Sequence, residues 1–239
     1  MQQYFIDQQI EEMKPVLFSK EQQHHIKRVL RMRNSDVVKV IDSTSTPYLV
    51  KLTVDEEVTG EVVERLQKNE EPIKVTLLQG MIKGERWDML IQKACEFGVD
   101  SIVPVVSSRT VVKLNDKIDK KLERYNKIAL EACEQSRRDH LVEVVTPTKF
   151  QNIENYKSEL NVIAYEDADT KGESLKRLLS NYPEVKSVTI LIGSEGGFSQ
   201  EEVAFAIDKG YYCVSLGHRI FRAESAAWAM LQSLMFYYE

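Results

Sequence analysis

The apolar positions change their period once along the chain, close to residue 70. Before that point short runs dominate: Val37-Val-Lys-Val-Ile41, then 48–54 and 58–66, with Ser, Thr and Pro between them. Runs this short, rich in β-branched residues and bounded by turn formers, predict strands, and their close spacing predicts a small barrel. One helix belongs among them. Ser19-Lys-Glu-Gln22 matches a capping box, and Ile26, Val29 and Leu30 recur at helical spacing. Gln67-Lys-Asn-Glu-Glu-Pro72 is polar and ends in proline, so a boundary is placed there, separating 1–70 from 71–239.

From Lys74 strands alternate with helices, the pattern of a parallel α/β domain. Strands are expected at 74–78, 102–106, 142–145 and 162–165. Trp87, Leu90, Ile91, Ala94 and Cys95 form a helical stripe that stops at Gly98, and Leu122, Tyr125, Ala129, Ala132 and Cys133 line a long helix. The last two strands, Val188-Thr-Ile-Leu-Ile192 and Tyr212-Cys-Val-Ser-Leu216, read as buried parallel strands. Between them Ser199 and Glu202 make a capping box and Gly210 takes the position after the helix end. This βαβ unit sends the loops Gly193-Ser-Glu-Gly-Gly197 and Gly217-His-Arg-Ile-Phe-Arg222 to one edge of the sheet. If the two strands are neighbours, the loops face each other across a crevice, where open α/β sheets bind ligands. The final helix, 224–238, is apolar on most sides, which fits burial in the core or between subunits.

Composition narrows the class. The 239 residues are 43% hydrophobic and 29% charged, enough for a substantial core in a soluble protein. No apolar stretch approaches a membrane span, and the N-terminus lacks the basic and apolar regions of a signal peptide. Cys95, Cys133 and Cys213 are odd in number and set among apolar neighbours, which reads as reduced core cysteines of a cytoplasmic protein. Neither they nor His24, His25, His140 and His218 have metal-ligand spacing. A net charge of −5 argues against nucleic acid for the chain as a whole, yet the segment 20–33 carries Lys20, Lys27, Arg28, Arg31 and Arg33 against Glu21 alone.

Neither glycine loop is G-x-G-x-x-G or carries the lysine of a phosphate-binding loop, and Glu195 disfavours an anion. A cationic or neutral nucleoside-like ligand held by backbone groups fits better; the plain alternative is two tight turns. On the long helix Glu131, Gln135 and Arg138 stand at i, i+4 and i+7 and hence share one polar face, which is either functional or simply solvated. Arg109 follows the strand at 102–106. His24, His25, Lys27, Arg28, Arg31 and Arg33 form either a surface that tracks an RNA backbone or the wet face of an amphipathic helix.

Ile192-Gly-Ser-Glu-Gly-Gly-Phe198 with Leu216-Gly-His-Arg-Ile-Phe-Arg-Ala-Glu-Ser-Ala226 resembles the signature pair of the trefoil-knotted SPOUT methyltransferases. Within that class the chain most resembles the ribosomal RNA small subunit methyltransferase E family, whose members methylate N3 of a uridine in 16S rRNA. His24-His-Ile-Lys-Arg-Val-Leu-Arg31, Ile91-Gln-Lys-Ala-Cys-Glu-Phe-Gly98 and Glu131-Ala-Cys-Glu-Gln-Ser-x-Arg138 agree with the same family. The family usually has Pro where Ser194 and His218 stand, Leu at Phe221, and Thr at Ala223 and Ser225.

The resemblance implies a PUA-like RNA-binding domain over 1–70 and a knotted α/β methyltransferase domain over 71–239. It also implies a homodimer with the active site at its interface, S-adenosylmethionine as cofactor, and no metal. Cofactor contacts are then expected from Ile192, Gly193, Ser194, Glu195, Gly196, Gly197, Leu216, Gly217, Ile220, Phe221, Arg222, Ser225 and Ala226. Catalytic work is expected from Glu131, Glu134, Gln135, Arg138 and Arg222. RNA contacts are expected from His24, His25, Lys27, Arg28, Arg31, Arg33 and Arg109. Two other readings stay open: a knotted methyltransferase with another target such as ribose 2′-oxygen, and a non-catalytic RNA-binding dimer.

Overall fold

The computed structural model describes residues 1–11, 13–110, 118–165 and 173–239. They form two compact units. One comprises Met1–Glu70 with Cys133–Leu141, the other Glu71–Ala132 with Val142–Glu239.

The first unit is a five-stranded sheet built from β1 (Gln3–Phe5), β2 (Val16–Leu17), β3 (Val37–Ile41), β4 (Pro47–Val54) and β5 (Val58–Arg65), in the order β1-β3-β4-β5-β2. β1 and β3 are parallel, whereas the other pairs are antiparallel. Tyr4, Phe18, Ile26, Val38, Val40, Val50, Leu52 and Val58 form its buried centre. β1 and β2 were not legible in the sequence. Both are too short to show a period, and β1 is held by its parallel register with β3 rather than by its own pattern.

Ser19 and Gln22 make the expected capping box of α1 (Lys20–His24), but the helix does not continue regularly. Over His25–Val29 the ladder widens to a π turn, with Leu30 N–H donating to the His25 carbonyl at 2.9 Å. The apolar stripe expected at Ile26, Val29 and Leu30 is thereby broken. Ile26 is fully buried, while Val29 and Leu30 are 59% and 40% exposed. Arg31 lies beyond the helix at φ 52°, so it does not join Lys27 on the wet face of one amphipathic helix.

The second unit carries a parallel sheet with a core path of β6 (Lys74–Gly80), β7 (Ser101–Val106), β8 (Glu143–Val144), β10 (Leu160–Ala164), β11 (Glu173–Ser174), β12 (Ser187–Ile192) and β13 (Tyr212–Ser215). Its order is β11-β13-β10-β12-β6-β7-β8, and the short β9 (Thr148–Lys149) pairs with β7. The helices are α2 (Glu85–Glu96), α3 (Ile118–Gln135), α4 (Leu175–Ser180), α5 (Gln200–Asp208) and α6 (Ala223–Tyr238). Leu78, Val103, Phe150, Ile163, Leu191, Phe198, Val203 and Tyr211 form one buried cluster, and α2 packs against α6. The strand and helix alternation read from the sequence is therefore observed. The expectation that the strands at 188–192 and 212–216 are neighbours is not. β10 lies between them, pairing with β12 on one side and β13 on the other.

Among the described residues no helix is long and apolar enough to cross a membrane.

Candidate active site

β12 ends at Ile192, and the chain then folds back on itself at once. Gly197 N–H donates to the Ser194 carbonyl at 2.9 Å, closing a tight turn. Two segments distant in sequence, the end of β6 and the stretch at Arg109, hold this loop. Gln79, the last residue but one of β6, donates through Nε2 to the Gly193 carbonyl at 3.0 Å. Gly80 lies so close beneath it that a Cβ would meet Ser194 N at 2.3 Å, so only glycine fits there. Arg109 donates through Nη1 to the Gly196 carbonyl at 3.1 Å.

Glu195 projects from the loop and is paired. Its Oε1 accepts from Lys83 N–H at 3.0 Å and from Arg86 Nη2 at 2.6 Å. The acidic residue that argues from sequence against an anionic ligand thus stands beside a guanidinium. At the other end of the turn the capping box of α5 forms as expected, and Glu202 also accepts the Ser108 N–H at 2.7 Å.

The second loop leaves β13 with Gly217 at φ +100°, a backbone conformation side chains rarely adopt, and ends at Arg222, the N-cap of α6. Because β10 separates the two strands, the loops meet over its carboxyl end, where Ala164 supplies a small floor. The resulting cleft of about 360 Å³ is lined by Ile192, Gly193, Ser194, Glu195, Gly197 and Phe198, by Ile220, Phe221, Arg222, Ala223 and Ala226, and by Arg86 and Ala164. That volume is within the usual range for small-molecule sites. Burial pushes the Cys213 thiol on β13 up, away from thiolate chemistry.

Of the expected cofactor residues, Ile192, Gly193, Ser194, Glu195, Gly197, Ile220, Phe221, Arg222 and Ala226 line the cleft. Gly196, Leu216, Gly217 and Ser225 stand in or beside the same loops without lining it. Sequence reasoning missed Arg86, Ala164, Phe198 and Ala223, as well as the loop-holding Gln79. The only advance signal for Gln79 was a polar residue closing an otherwise apolar strand.

The Glu131–Arg138 stretch differs from its expected form. Glu131 and Gln135 are exposed one turn apart on α3, but the helix stops at Gln135. Arg137 takes φ 62°, and Arg138 N–H donates back to the Cys133 carbonyl at 3.0 Å, a Schellman ending. Arg138 is therefore past the helix end and does not share the face of Glu131 and Gln135. Its carbonyl accepts from the buried Gln3 side chain at 2.6 Å, and Glu134 Oε1 accepts from Phe5 N–H at 3.3 Å. Within the same unit, Asp139 pairs with Lys39 and accepts the Asn69 N–H.

Among the expected RNA residues, His24, Arg28, Arg31 and Arg33 are exposed. His25 is half-buried and its Nδ1 is hydrogen-bonded to the Tyr4 hydroxyl, whose pKa is raised by burial and by the charge of Glu134. Lys27 is half-buried and donates to the carbonyls of Asp55 and Glu56 at the surface, at 2.5 and 2.6 Å.

Residues 69–235 match the RNA methyltransferase domain model, and residues 18–63 match the RNA methyltransferase PUA domain model. Ribosomal RNA small subunit methyltransferase E of Bacillus subtilis is 34% identical over 99% of this chain and 96% of its own length. Its namesake from Synechocystis is 33% identical over 86% of this chain and 67% of its own. Among solved structures, the Neisseria gonorrhoeae methyltransferase E bound to S-adenosyl methionine is 26% identical, with a TM-score of 0.88 over 99% of this chain and 97% of that one. A methyltransferase from Legionella pneumophila in complex with the same cofactor is 28% identical, with a TM-score of 0.85 over 98% and 96%. A PUA sheet ahead of a parallel α/β domain, glycine loops converging on a cleft, and these matches along nearly the whole chain place it in the ribosomal RNA small subunit methyltransferase E family.

Proposed function

We propose that this protein transfers a methyl group from S-adenosylmethionine to N3 of a uridine in 16S rRNA of the small ribosomal subunit, as a cytoplasmic homodimer. The observation that carries the reading is the cleft shared by both glycine loops and the first turn of α6, in a chain of this family.

The residues present fit the cofactor on chemical grounds. Ala164, Ala223, Ala226 and the glycines leave backbone groups open to an adenosine. Glu195 lines the cleft, and Glu224 is buried in the first turn of α6 with Oε2 unpartnered among the described residues. Beside the mutually neutralised Glu195–Arg86 pair, the orphaned Glu224 oxygen offers an acceptor to a hydrogen-bond donor or a cation rather than to a phosphate. When bound, S-adenosylmethionine supplies an electrophilic methyl group on a charged sulfonium.

Uracil N3 must lose a weakly acidic proton as the methyl arrives, so the site has to orient the base, receive a proton and stabilise charge on the carbonyl oxygens. Arg222 lines the cleft, and its guanidinium stays protonated, which suits it to that growing charge or to an RNA phosphate. Arg138 is assigned the same chemistry, and Gln135 the orientation of the base. The exposed Glu131 is the better proton acceptor of the two carboxylates, because Glu134 already accepts the Phe5 amide; loss of the proton to water is the alternative. In the first unit, Arg28, Arg31 and Arg33 hold RNA phosphates.

The test is labelled-methyl transfer to unmethylated small subunits and to naked 16S rRNA, followed by digestion to nucleosides. Label in 3-methyluridine is the expected result. Label on ribose moves the reading to another target, and cofactor binding without transfer leaves an RNA-binding dimer.

A further inference from the structure

We infer that Arg86 and Glu195 form a receptor for the zwitterionic end of the cofactor, Glu195 taking the α-ammonium and Arg86 the α-carboxylate. The inference rests on the reading that S-adenosylmethionine occupies this cleft.

The two residues are far apart in sequence and are joined by a built connection. Between β6 and α2 the chain passes through Gly84 at φ +64° and ψ −144°. A Cβ there would meet nothing within 4 Å, so glycine is required by the backbone conformation and not by crowding. That conformation precedes α2 directly and accompanies the delivery of both Lys83 N–H and Arg86 Nη2 to Glu195.

Both bonds end on the same oxygen, Oε1. Among the described residues nothing else bonds to Glu195, so Oε2 keeps its acceptor capacity. Among the described residues Arg86 uses Nη2 alone, leaving Nε and Nη1 as donors. The side chains remain 38% and 27% exposed, and both line the cleft, so these unused groups can be reached from it. A carboxylate oxygen beside a fork of guanidinium donors matches an ammonium beside a carboxylate, and together the pair adds no net charge. A pair this exposed contributes little as a latch alone.

Three ligands separate this from its rivals. S-adenosylmethionine carries both the zwitterion and the sulfonium charge. S-adenosylhomocysteine keeps the zwitterion without the sulfonium, and 5′-methylthioadenosine lacks both. By calorimetry on the full chain, Arg86→Met and Glu195→Gln are each expected to weaken the first two about tenfold and leave methylthioadenosine unchanged. Retained methylthioadenosine affinity also reports that the variant is folded. Parallel weakening of all three ligands would overturn the proposal, because the pair then only supports the loop. Weakening of S-adenosylmethionine alone would assign Glu195 to the sulfonium and overturn it as well, as would three unchanged affinities. If the wild-type chain binds none of the three, the cofactor reading itself fails and the receptor falls with it.

Discussion

Gln79 and Gly193 are joined by a hydrogen bond of 3.0 Å that ties the end of β6 to the start of the glycine loop after β12. The same Nε2 donates to the Gly80 carbonyl at 3.1 Å, which fixes the orientation of the amide, since its oxygen cannot face two carbonyls. Gln79 is fully buried, and its Oε1 has no partner among the described residues. Gln79→Leu keeps the volume roughly but removes a buried donor from two carbonyl acceptors. Such a loss costs about 1–3 kcal/mol. Urea unfolding should show a destabilisation of that order, and cofactor affinity should fall because the Gly193 carbonyl is released. Wild-type stability in the variant would mean that the loop is held by its other contacts alone.

Arg137 is the reverse case, a residue held in a conformation that does not suit it. It occupies the left-handed position of the Schellman ending after α3, at φ 62°, where glycine is the usual choice. Its neighbour Arg138 makes the closing bond through the backbone, which the substitution leaves in place. Left-handed geometry costs a side-chain-bearing residue about 1–2 kcal/mol. Part of that returns as extra freedom of the unfolded chain, so Arg137→Gly should stabilise the protein by about 0.5–1 kcal/mol. Arg137→Val should do the opposite. Equal denaturation midpoints for the three proteins would refute the strain argument.

These positions also mark how far the sequence could be read. The capping boxes at Ser19 and Ser199 and the glycine ending of α5 were legible because each is decided by a few adjacent residues. Strand order was not. Nothing between Val188 and Leu216 records that β10 inserts between β12 and β13, so the two loops share a cleft although the premise that their strands are neighbours was wrong. The helical period of Glu131, Gln135 and Arg138 failed for a similar reason. It assumed that α3 runs on, and Arg137 carries none of the glycine signal that would have announced the end. The cleft residues missed outright, Arg86 above all, reach the site through pairings such as that with Glu195, which no local spacing encodes.

Asp42 should make the stability of the first unit depend on acid. Its carboxylate is buried, which alone would raise its pKa, but bonds from the Thr44 hydroxyl and from the N–H groups of Thr46, Ile10 and Thr44 outweigh this and lower it. A folded-state pKa below the unfolded one adds stability that is present above the ordinary carboxylate value and lost as pH falls through the lowered pKa. Unfolding of Asp42→Asn should therefore be easier than wild type at about pH 6 and lose less between there and about pH 3. The same loss in both proteins would assign the acid sensitivity to other carboxylates.

RNA binding by the first unit should separate into a charged and an apolar part, because the π turn at His25–Val29 sets Val29 and Leu30 outward among Arg28, Arg31 and Arg33. Each phosphate neutralised by an arginine releases counterions, adding about 0.7 to the slope of log K against log salt for single strands and about 0.9 for duplex. Arg28→Ala with Arg31→Ala should thus flatten that slope by about 1.4–1.8 if each contacts one phosphate, without altering cofactor affinity. Val29→Ser with Leu30→Ser should weaken binding several-fold at an unchanged slope, since apolar contacts release no ions. Both side chains are already exposed, so the substitution leaves the core around Ile26 intact. Binding measured over a salt series with a 16S rRNA fragment distinguishes the outcomes. A double arginine variant with the wild-type slope would move the RNA surface elsewhere. A serine variant that binds as wild type would leave the arginines as the whole of the contact and the outward turn of Val29 and Leu30 as incidental.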